Sequence, residues 1–214
     1  MLLLEEIFKS KKLQHSERFN LRVQRSLSWF KKSLELEHDL DLQFISLWIA
    51  LNALYVQDMN VAQDTQALQQ FLNSIYQQDQ EDRIDSTLWG KLSPLIARLL
   101  DNPYAYQAFW DYKNQKISQS TWQANFVQAK QQVQHALQEQ VSIAVLTLLF
   151  NRLHTLANQL THGGATYNSS MSRQIMQEAC QILAAFLSSC LYVLLENAPV
   201  LDVGQTFYPI IQVS

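Results

Sequence analysis

The chain has 214 residues, of which 48% are hydrophobic, and it carries a formal net charge of −3. This balance predicts a globular domain with a sizeable core and excludes a global basic field that would hold nucleic acid without specificity. Only four glycines and four prolines occur, which favours helices over a turn-rich sheet protein. We therefore expect an all-α fold, a compact antiparallel helical bundle.

The first part of the chain predicts three helices. Apolar residues recur every three to four positions over 16–36, and the basic residues between them predict either a solvated face or a patch for an RNA backbone. The run 44–56 is apolar nearly all round and predicts a central helix with Asp39 or Asp41 as its N-cap. A shorter amphipathic helix is expected at 65–77.

The middle of the chain carries a cluster of aromatic residues after a break at Asn102-Pro103. Such a cluster can stack on nucleic-acid bases or pack a helix against a core. Its members are Tyr104, Tyr106, Phe109, Trp110 and Tyr112. A helix is predicted to follow at 120–138. Because no Pro/Gly/Ser-rich linker occurs, we expect one domain over 1–214, with 57–137 as a helical insertion.

The last part of the chain predicts two long helices, at 141–162 and 171–197. The apolar run at 182–195 is shorter than the roughly 20 residues of a membrane span, so a buried core helix and no membrane are expected. The N-terminus has no signal-peptide core, and nothing in the sequence suggests oxidation, so a cytoplasmic location is expected. The tail around 207–211 predicts an extended segment that covers a groove. Two cysteines ten residues apart in one helix are too distant to pair.

The end of the helix at 141–162 is the candidate site. His162 is followed by Gly163 and Gly164, two of the four glycines of the chain, and a Gly pair supplies the positive φ of a helix C-cap. Asn158 precedes His162 by one turn on the same face. A titratable group, an amide and a tight turn coincide nowhere else in the sequence.

Patterns for other chemistry are missing from the sequence. No zinc-ligand spacing, phosphate-binding glycine loop or nucleophile elbow occurs, so neither a metal nor a cofactor is expected. Near His162, the side chains of Arg152, Asn168 and Arg173 are possible donors to an RNA phosphate, and histidine can move a proton near neutral pH. This combination fits phosphoryl chemistry without a metal.

The run 157–170, ANQLTHGGATYNSS, resembles the motif of the HEPN superfamily. That motif is an Arg and a His separated by four to six residues, the first of which is often Asn. The run 44–55 resembles the helix that these proteins pack beside the motif. The resemblance covers roughly 14–56 and 140–212. HEPN proteins are compact helical bundles, and many are ribonuclease toxins or antiviral effectors.

The resemblance implies a metal-independent endoribonuclease that acts as a homodimer with a composite active site. The ribose 2′-OH attacks the adjacent phosphate and leaves a 2′,3′-cyclic phosphate. His162 would move protons, Asn158 would orient the histidine or the phosphate, and an arginine would clamp the phosphate. A cognate antitoxin is a possible partner, with Tyr167 as a possible site of modification.

The chain departs from the family at one position, because Ala157 stands where the motif has its arginine. Losing such a donor typically costs about 10²–10³ in rate, so the chain is expected to be nearly inactive. It is either a natural pseudo-enzyme or a chain disarmed by an Arg→Ala replacement; the toxicity of an active ribonuclease favours the second. The alternatives are a non-catalytic module that binds RNA or protein, and a structural dimer.

Overall fold

The computed structural model describes residues 1–56, 61–170, 173–202 and 208, and the side chains of all of these except 61–64. The described residues form eleven α-helices and two short 3₁₀ helices, and they include no strand. The predicted all-α class is therefore confirmed.

The six helices whose positions were predicted from the sequence begin and end within about four residues of those positions. Ser16 and Asp39 cap the second and third α-helices of the chain, since their side chains accept hydrogen bonds from the backbone N–H of Phe19 and Leu42 at 3.1 Å each. The 3₁₀ helices are Lys12–Gln14 and Pro103–Ala105. The α-helices are α1 (Leu2–Lys11), α2 (Glu17–Leu34), α3 (Leu40–Tyr55), α4 (Val61–Gln78), α5 (Arg83–Trp89), α6 (Ser93–Asp101), α7 (Gln107–Lys113), α8 (Gln119–Gln138), α9 (Ser142–Thr161), α10 (Arg173–Glu196) and α11 (Ala198–Leu201).

The chain divides into two compact units. The first unit is Met1–Ile84 with Leu183–Ser214, and the second unit is Asp85–Ile182. The predicted insertion at 57–137 does not coincide with either. Residues 57–84 belong to the first unit, whereas α8 belongs to the same unit as α9. Both boundaries fall inside helices, α5 and α10, so no linker marks them in the sequence.

The core of the first unit is formed chiefly by α2 and α3, which pack along each other. The apolar positions of α2 recur at helical spacing, and four of the five that define the pattern are buried; Leu34 is exposed. The buried ones are Phe19, Val23, Leu27 and Phe30, which join Phe44, Leu47, Leu51 and Leu54 of α3. The prediction that α3 is a central helix is confirmed by this burial.

The second unit is organised around α9, which packs against α6, α8 and the 3₁₀ helix at Pro103–Ala105. At its start, the indole Nε1 of Trp89 donates to the hydroxyl of Ser142 at 2.9 Å. Its buried face includes Val145, Leu146, Leu149, Phe150, Leu153 and Leu156. This packing fixes the helix along most of its length and leaves its C-terminal end, the candidate site, at the surface.

The helix α10 is long and apolar enough to cross a membrane by length and composition, but 67% of its most apolar window is buried inside the protein. That burial is what a core helix shows. Cys180 and Cys190 are both buried and unbridged, and burial raises the pKa of the Cys190 thiol. The extended segment predicted at 207–211 lies outside the described residues, apart from Tyr208.

Candidate functional site

The end of α9 is closed by a left-handed glycine. His162 is the C-cap, and its backbone N–H donates to the carbonyl of Asn158 at 3.0 Å. Gly163 follows with φ +70°, and its N–H lies 3.4 Å from the carbonyl of Leu160. A side chain at this φ is strained, which explains the glycine. The predicted glycine C-cap is confirmed.

Gly164 is needed for a different reason. A Cβ added at this position would lie 3.3 Å from the carbonyl oxygen of Gln159 and 3.4 Å from its Cα. Both of those atoms are backbone, so they cannot move aside as a flexible side chain would. The loop after α9 therefore folds back onto the last turn of that helix, and two adjacent glycines hold this turn, one through its φ and one through its size.

Asn158 and His162 lie one turn apart at this end of α9. The side chain of Asn158 is half-buried, and His162 is exposed. Within the part of the chain that the structure describes, neither the amide of Asn158 nor the imidazole of His162 makes a hydrogen bond to another residue. Both polar groups are therefore available to a molecule outside the chain.

Ala157, at the position of the motif arginine, faces the interior of the second unit. It is 2% exposed, and its carbonyl accepts a hydrogen bond from the Thr161 hydroxyl at 2.8 Å. An arginine at this position would begin in the core, and its methylene groups would have to reach the surface before the guanidinium met a phosphate.

Arg152, predicted as a donor to RNA, is in the core. It is 4% exposed, its guanidinium carbon lies 4.3 Å from the centre of the Tyr106 ring, and its Nε lies 3.5 Å from the carbonyl oxygen of Leu100. Burial lowers the pKa of this guanidinium, and Tyr106 opposes the change. Arg152 is consequently absent from the surface around His162, and its predicted contact with a phosphate does not fit this placement.

Asn168 and Arg173, also predicted as RNA contacts, are brought together by the loop. The Arg173 Nε donates to the carbonyl of Ser169 at 2.8 Å, and its Nη1 lies 3.4 Å from the Oδ1 of Asn168. Asn168 itself has a left-handed backbone, with φ +56°. These contacts tie the loop to the start of α10. Tyr167, the predicted site of modification, is 65% exposed on the same loop.

A cleft of about 820 Å³ opens in the second unit beside this loop. None of the side chains of Ala157, Asn158 or His162 lines it, although Gln159 and Gly164 do. Its charged lining consists of Arg98, Asp101 and Glu178, and the sequence analysis singled out none of these. The sequence offered no clear signal for this cleft, because Glu178 lies in the polar first half of α10, beside Gln174, Gln177 and Gln181.

Among the described residues, no group of three or more His, Cys, Asp or Glu side chains is close enough to hold a metal ion. Comparisons with protein-family models, with curated proteins and with solved structures find no match for the chain. The function is therefore argued from the residues of the site.

Proposed function

We propose that the chain is a metal-independent endoribonuclease of the HEPN type, in a form that Ala157 leaves nearly inactive. The observation that supports this most is the pairing at the end of α9. There the exposed imidazole of His162 and the amide of Asn158 lie one turn apart with no partner among the described residues. A histidine that can exchange a proton and an amide that can bind a phosphate oxygen suit RNA cleavage.

In the proposed reaction, His162 accepts the proton of the ribose 2′-OH. The 2′-oxygen then bonds to the adjacent phosphorus, and the bond from phosphorus to the 5′-oxygen breaks. A proton returns to that leaving oxygen, so the products are a 2′,3′-cyclic phosphate and a 5′-OH. Asn158 donates from its amide to a phosphate oxygen or orients the imidazole. The site lacks the positive charge that stabilises the transition state, because Ala157 has no guanidinium.

A second copy of the chain is part of this proposal. The reaction needs one group that removes a proton and one that returns it, and each chain contributes one histidine to the motif. A homodimer that places two copies of His162 in one cleft supplies both. Restraint by a cognate antitoxin that modifies the exposed Tyr167, and a cytoplasmic location, belong to the same proposal.

The direct test is to restore the arginine. We expect Ala157→Arg to cleave total RNA in the presence of EDTA, and we expect the additional change His162→Ala to abolish that cleavage. His135→Ala is the matched control, because His135 is an exposed histidine of the same unit and lies outside the motif. Ala157→Met controls for the added length without the charge. Circular dichroism and thermal melting show whether each variant folds.

Because Ala157 is buried, the arginine variant can fail to fold, and a second measurement keeps the proposal testable. Added guanidinium or methylguanidinium should rescue RNA cleavage by the unaltered chain, and the rescue should vanish with His162→Ala. If a folded Ala157→Arg protein leaves RNA intact and binds none, or if a variant that does not fold is accompanied by no rescue, the ribonuclease proposal is wrong.

The second candidate function is a non-catalytic module that binds RNA or a partner protein. The observation that favours it is the burial of Ala157, which is 2% exposed and belongs to the core of the second unit. A chain folded around alanine at this position is suited to binding without cleavage. RNA retained by the unaltered chain and by Ala157→Arg, with no product in either case, would support the module over the enzyme.

A further inference from the structure

The cleft in the second unit is lined by a carboxylate, that of Glu178, of which one oxygen makes no hydrogen bond to the described residues. The side chain of Glu178 is 10% exposed. Its Oε1 accepts hydrogen bonds from the Nε of Arg98 at 2.7 Å and from the amide of Gln174 at 3.2 Å. Its Oε2 accepts none from the residues that the structure describes. A carboxylate paired with a guanidinium is an acceptor only, so the cleft offers this oxygen to an N–H or O–H donor.

The charges that line the cleft compensate each other. Glu178 pairs with Arg98, and Asp101 pairs with the ammonium group of Lys130 at 2.6 Å. A bare phosphate gains little in such a cleft, and an added cation would meet Arg98. The ligand that this balance favours is a neutral group with N–H donors.

The walls of the cleft suit a flat ring. Tyr104 and Trp110 line it, and Tyr104 is 46% exposed. The Tyr104 carbonyl accepts from the indole Nε1 of Trp110 at 2.8 Å and from the amide of Gln159 at 3.0 Å, so this aromatic turn is held from two directions. Leu156 and Ile175 add apolar surface. Aromatic side chains at the edge of a mixed cleft are the usual partners of unstacked bases.

We propose that this cleft binds a guanine base. The edge of guanine presents one acceptor, O6, and two adjacent donors, N1–H and the N2 amino group. The Oε2 of Glu178 is the acceptor toward which these two donors point, because Oε1 already accepts from Arg98 and Gln174. The N–H groups of Arg98 and Gln174 that Oε1 does not engage supply a donor for O6. Adenine and cytosine each place a ring acceptor beside their amino group, and that acceptor would face the carboxylate. Uracil has one donor between two acceptors.

The guanine site does not depend on catalysis for its chemistry. Its assignment to a guanine of an RNA substrate, bound beside the loop that follows His162, rests on the proposed function. A free guanine nucleotide offers the same base. The two sources are distinguished by comparing guanosine monophosphate with short single-stranded RNAs that contain one guanine or one adenine between uracils.

The experiment is titration of the unaltered chain by calorimetry with guanosine, inosine and adenosine. Inosine keeps N1–H and O6 but lacks the N2 amino group, so it is the matched ligand. We expect guanosine to bind at least tenfold more tightly than inosine or adenosine, and we expect Glu178→Gln to remove this preference. Glu139→Gln, which changes an exposed carboxylate of the same unit outside the cleft, should leave it intact.

If the Glu178→Gln protein does not fold, a second variant keeps the proposal testable. Tyr104→Leu removes a ring at a 46% exposed position and should weaken guanosine, inosine and adenosine by similar factors. Equal affinities for the three nucleosides, or a guanosine preference that survives in a folded Glu178→Gln protein, overturn the proposal. Tighter binding of the guanine-containing RNA than of the monophosphate supports an RNA guanine, and the reverse order supports a free nucleotide.

This outcome is separable from that of the ribonuclease proposal. If the chain binds guanosine and Ala157→Arg does not cleave RNA, the guanine site is supported and the ribonuclease proposal is wrong. Cleavage without any guanosine preference does the opposite. Cleavage that depends on a guanine in the RNA and is lost with Glu178→Gln joins the two.

Discussion

Each of the two compact units buries one arginine, and the two are held by different means. Arg22 in the first unit is 6% exposed, and its Nη2 lies 3.2 Å from a carboxylate oxygen of Asp202. Arg152 in the second unit is 4% exposed and has no carboxylate partner among the described residues. Instead it meets the face of Tyr106 and the carbonyl of Leu100.

The difference shows two ways to compensate a buried charge. The charge of Arg22 is compensated by the carboxylate of Asp202, and this ion pair links α2 to the residue after α11. Arg152 uses dipoles, because Leu100 is in the last turn of α6, where carbonyl groups lack helical partners and the helix dipole is negative. Burial lowers the pKa of both guanidinium groups, and the charge of Asp202 counteracts it at Arg22. Both arginines support the fold. Arg152 was predicted as a contact with RNA, and Arg22 lies in the basic segment predicted to be either a solvated face or a patch for an RNA backbone.

The largest effect should come from Arg22→Met. This change keeps most of the side-chain length and leaves the carboxylate of Asp202 without its cation. We expect the free energy of unfolding to fall by about 3 kcal/mol, at the low end for a broken buried pair because the Asp202 side chain is 20% exposed. Urea unfolding followed by circular dichroism measures the change.

The control for this prediction is the double variant Arg22→Met with Asp202→Asn. It removes the unpaired carboxylate, so it should recover part of the lost stability, and the two changes should not be additive. Additive effects would show that the ion pair contributes nothing beyond its separate side chains.

Arg152→Met should lower the free energy of unfolding by a smaller amount, about 1 kcal/mol. It removes a long hydrogen bond and a cation–π contact, but it leaves no unpaired opposite charge in the core. The same urea experiment measures it. Tyr106→Leu should destabilise the unaltered chain more than it destabilises the Arg152→Met variant, since the cation is absent from the latter. A cost for Arg152→Met equal to that of Arg22→Met would contradict the difference between ion and dipole compensation.

The helices and the closure of α9 were predictable because they depend on local chemistry. Helical spacing identified α2, and a long apolar run identified α3. Ser16 and Asp39 have side chains that cap helices, and the glycine pair after His162 identified a C-cap. Each of these features depends on residues within about one turn of each other, so it can be predicted without knowledge of the tertiary structure.

Which charged and aromatic side chains are buried was not predictable in the same way. Arg152 occupies a turn that faces α6, and nothing near it in the sequence shows that Leu100 will lie opposite. The aromatic cluster from Tyr104 to Tyr112 packs ring against ring, as between Phe109 and Trp122 at 5.3 Å, and α7 has no buried residue. Which face of a helix is covered depends on partners far away in the chain.

The smallest predicted effect concerns His15, close to the Arg22–Asp202 pair. Burial lowers the pKa of His15 below 6.5, Lys11 adds to this, and Asp202 opposes it. Because the folded chain favours neutral imidazole, His15 contributes stability above pH 6.5, and this is lost as the pH falls through the lower pKa of the folded state. His15→Gln should therefore flatten the decline in unfolding free energy between pH 7 and 5.

His38→Gln, which changes an exposed histidine of the same unit, is the control for that measurement. The comparison between the two arginines is tested further by measuring, in the Arg22→Met variant, how the unfolding free energy that depends on His15 changes with pH. Without Arg22, the charge of Asp202 acts on His15 alone, so the pKa of His15 should rise and the decline between pH 7 and 5 should become shallower than in the unaltered chain. Arg152→Met removes no ion pair and should leave the contribution of His15 unchanged. A decline that steepens in the Arg22→Met variant would show that Asp202 is not the group that opposes the low pKa.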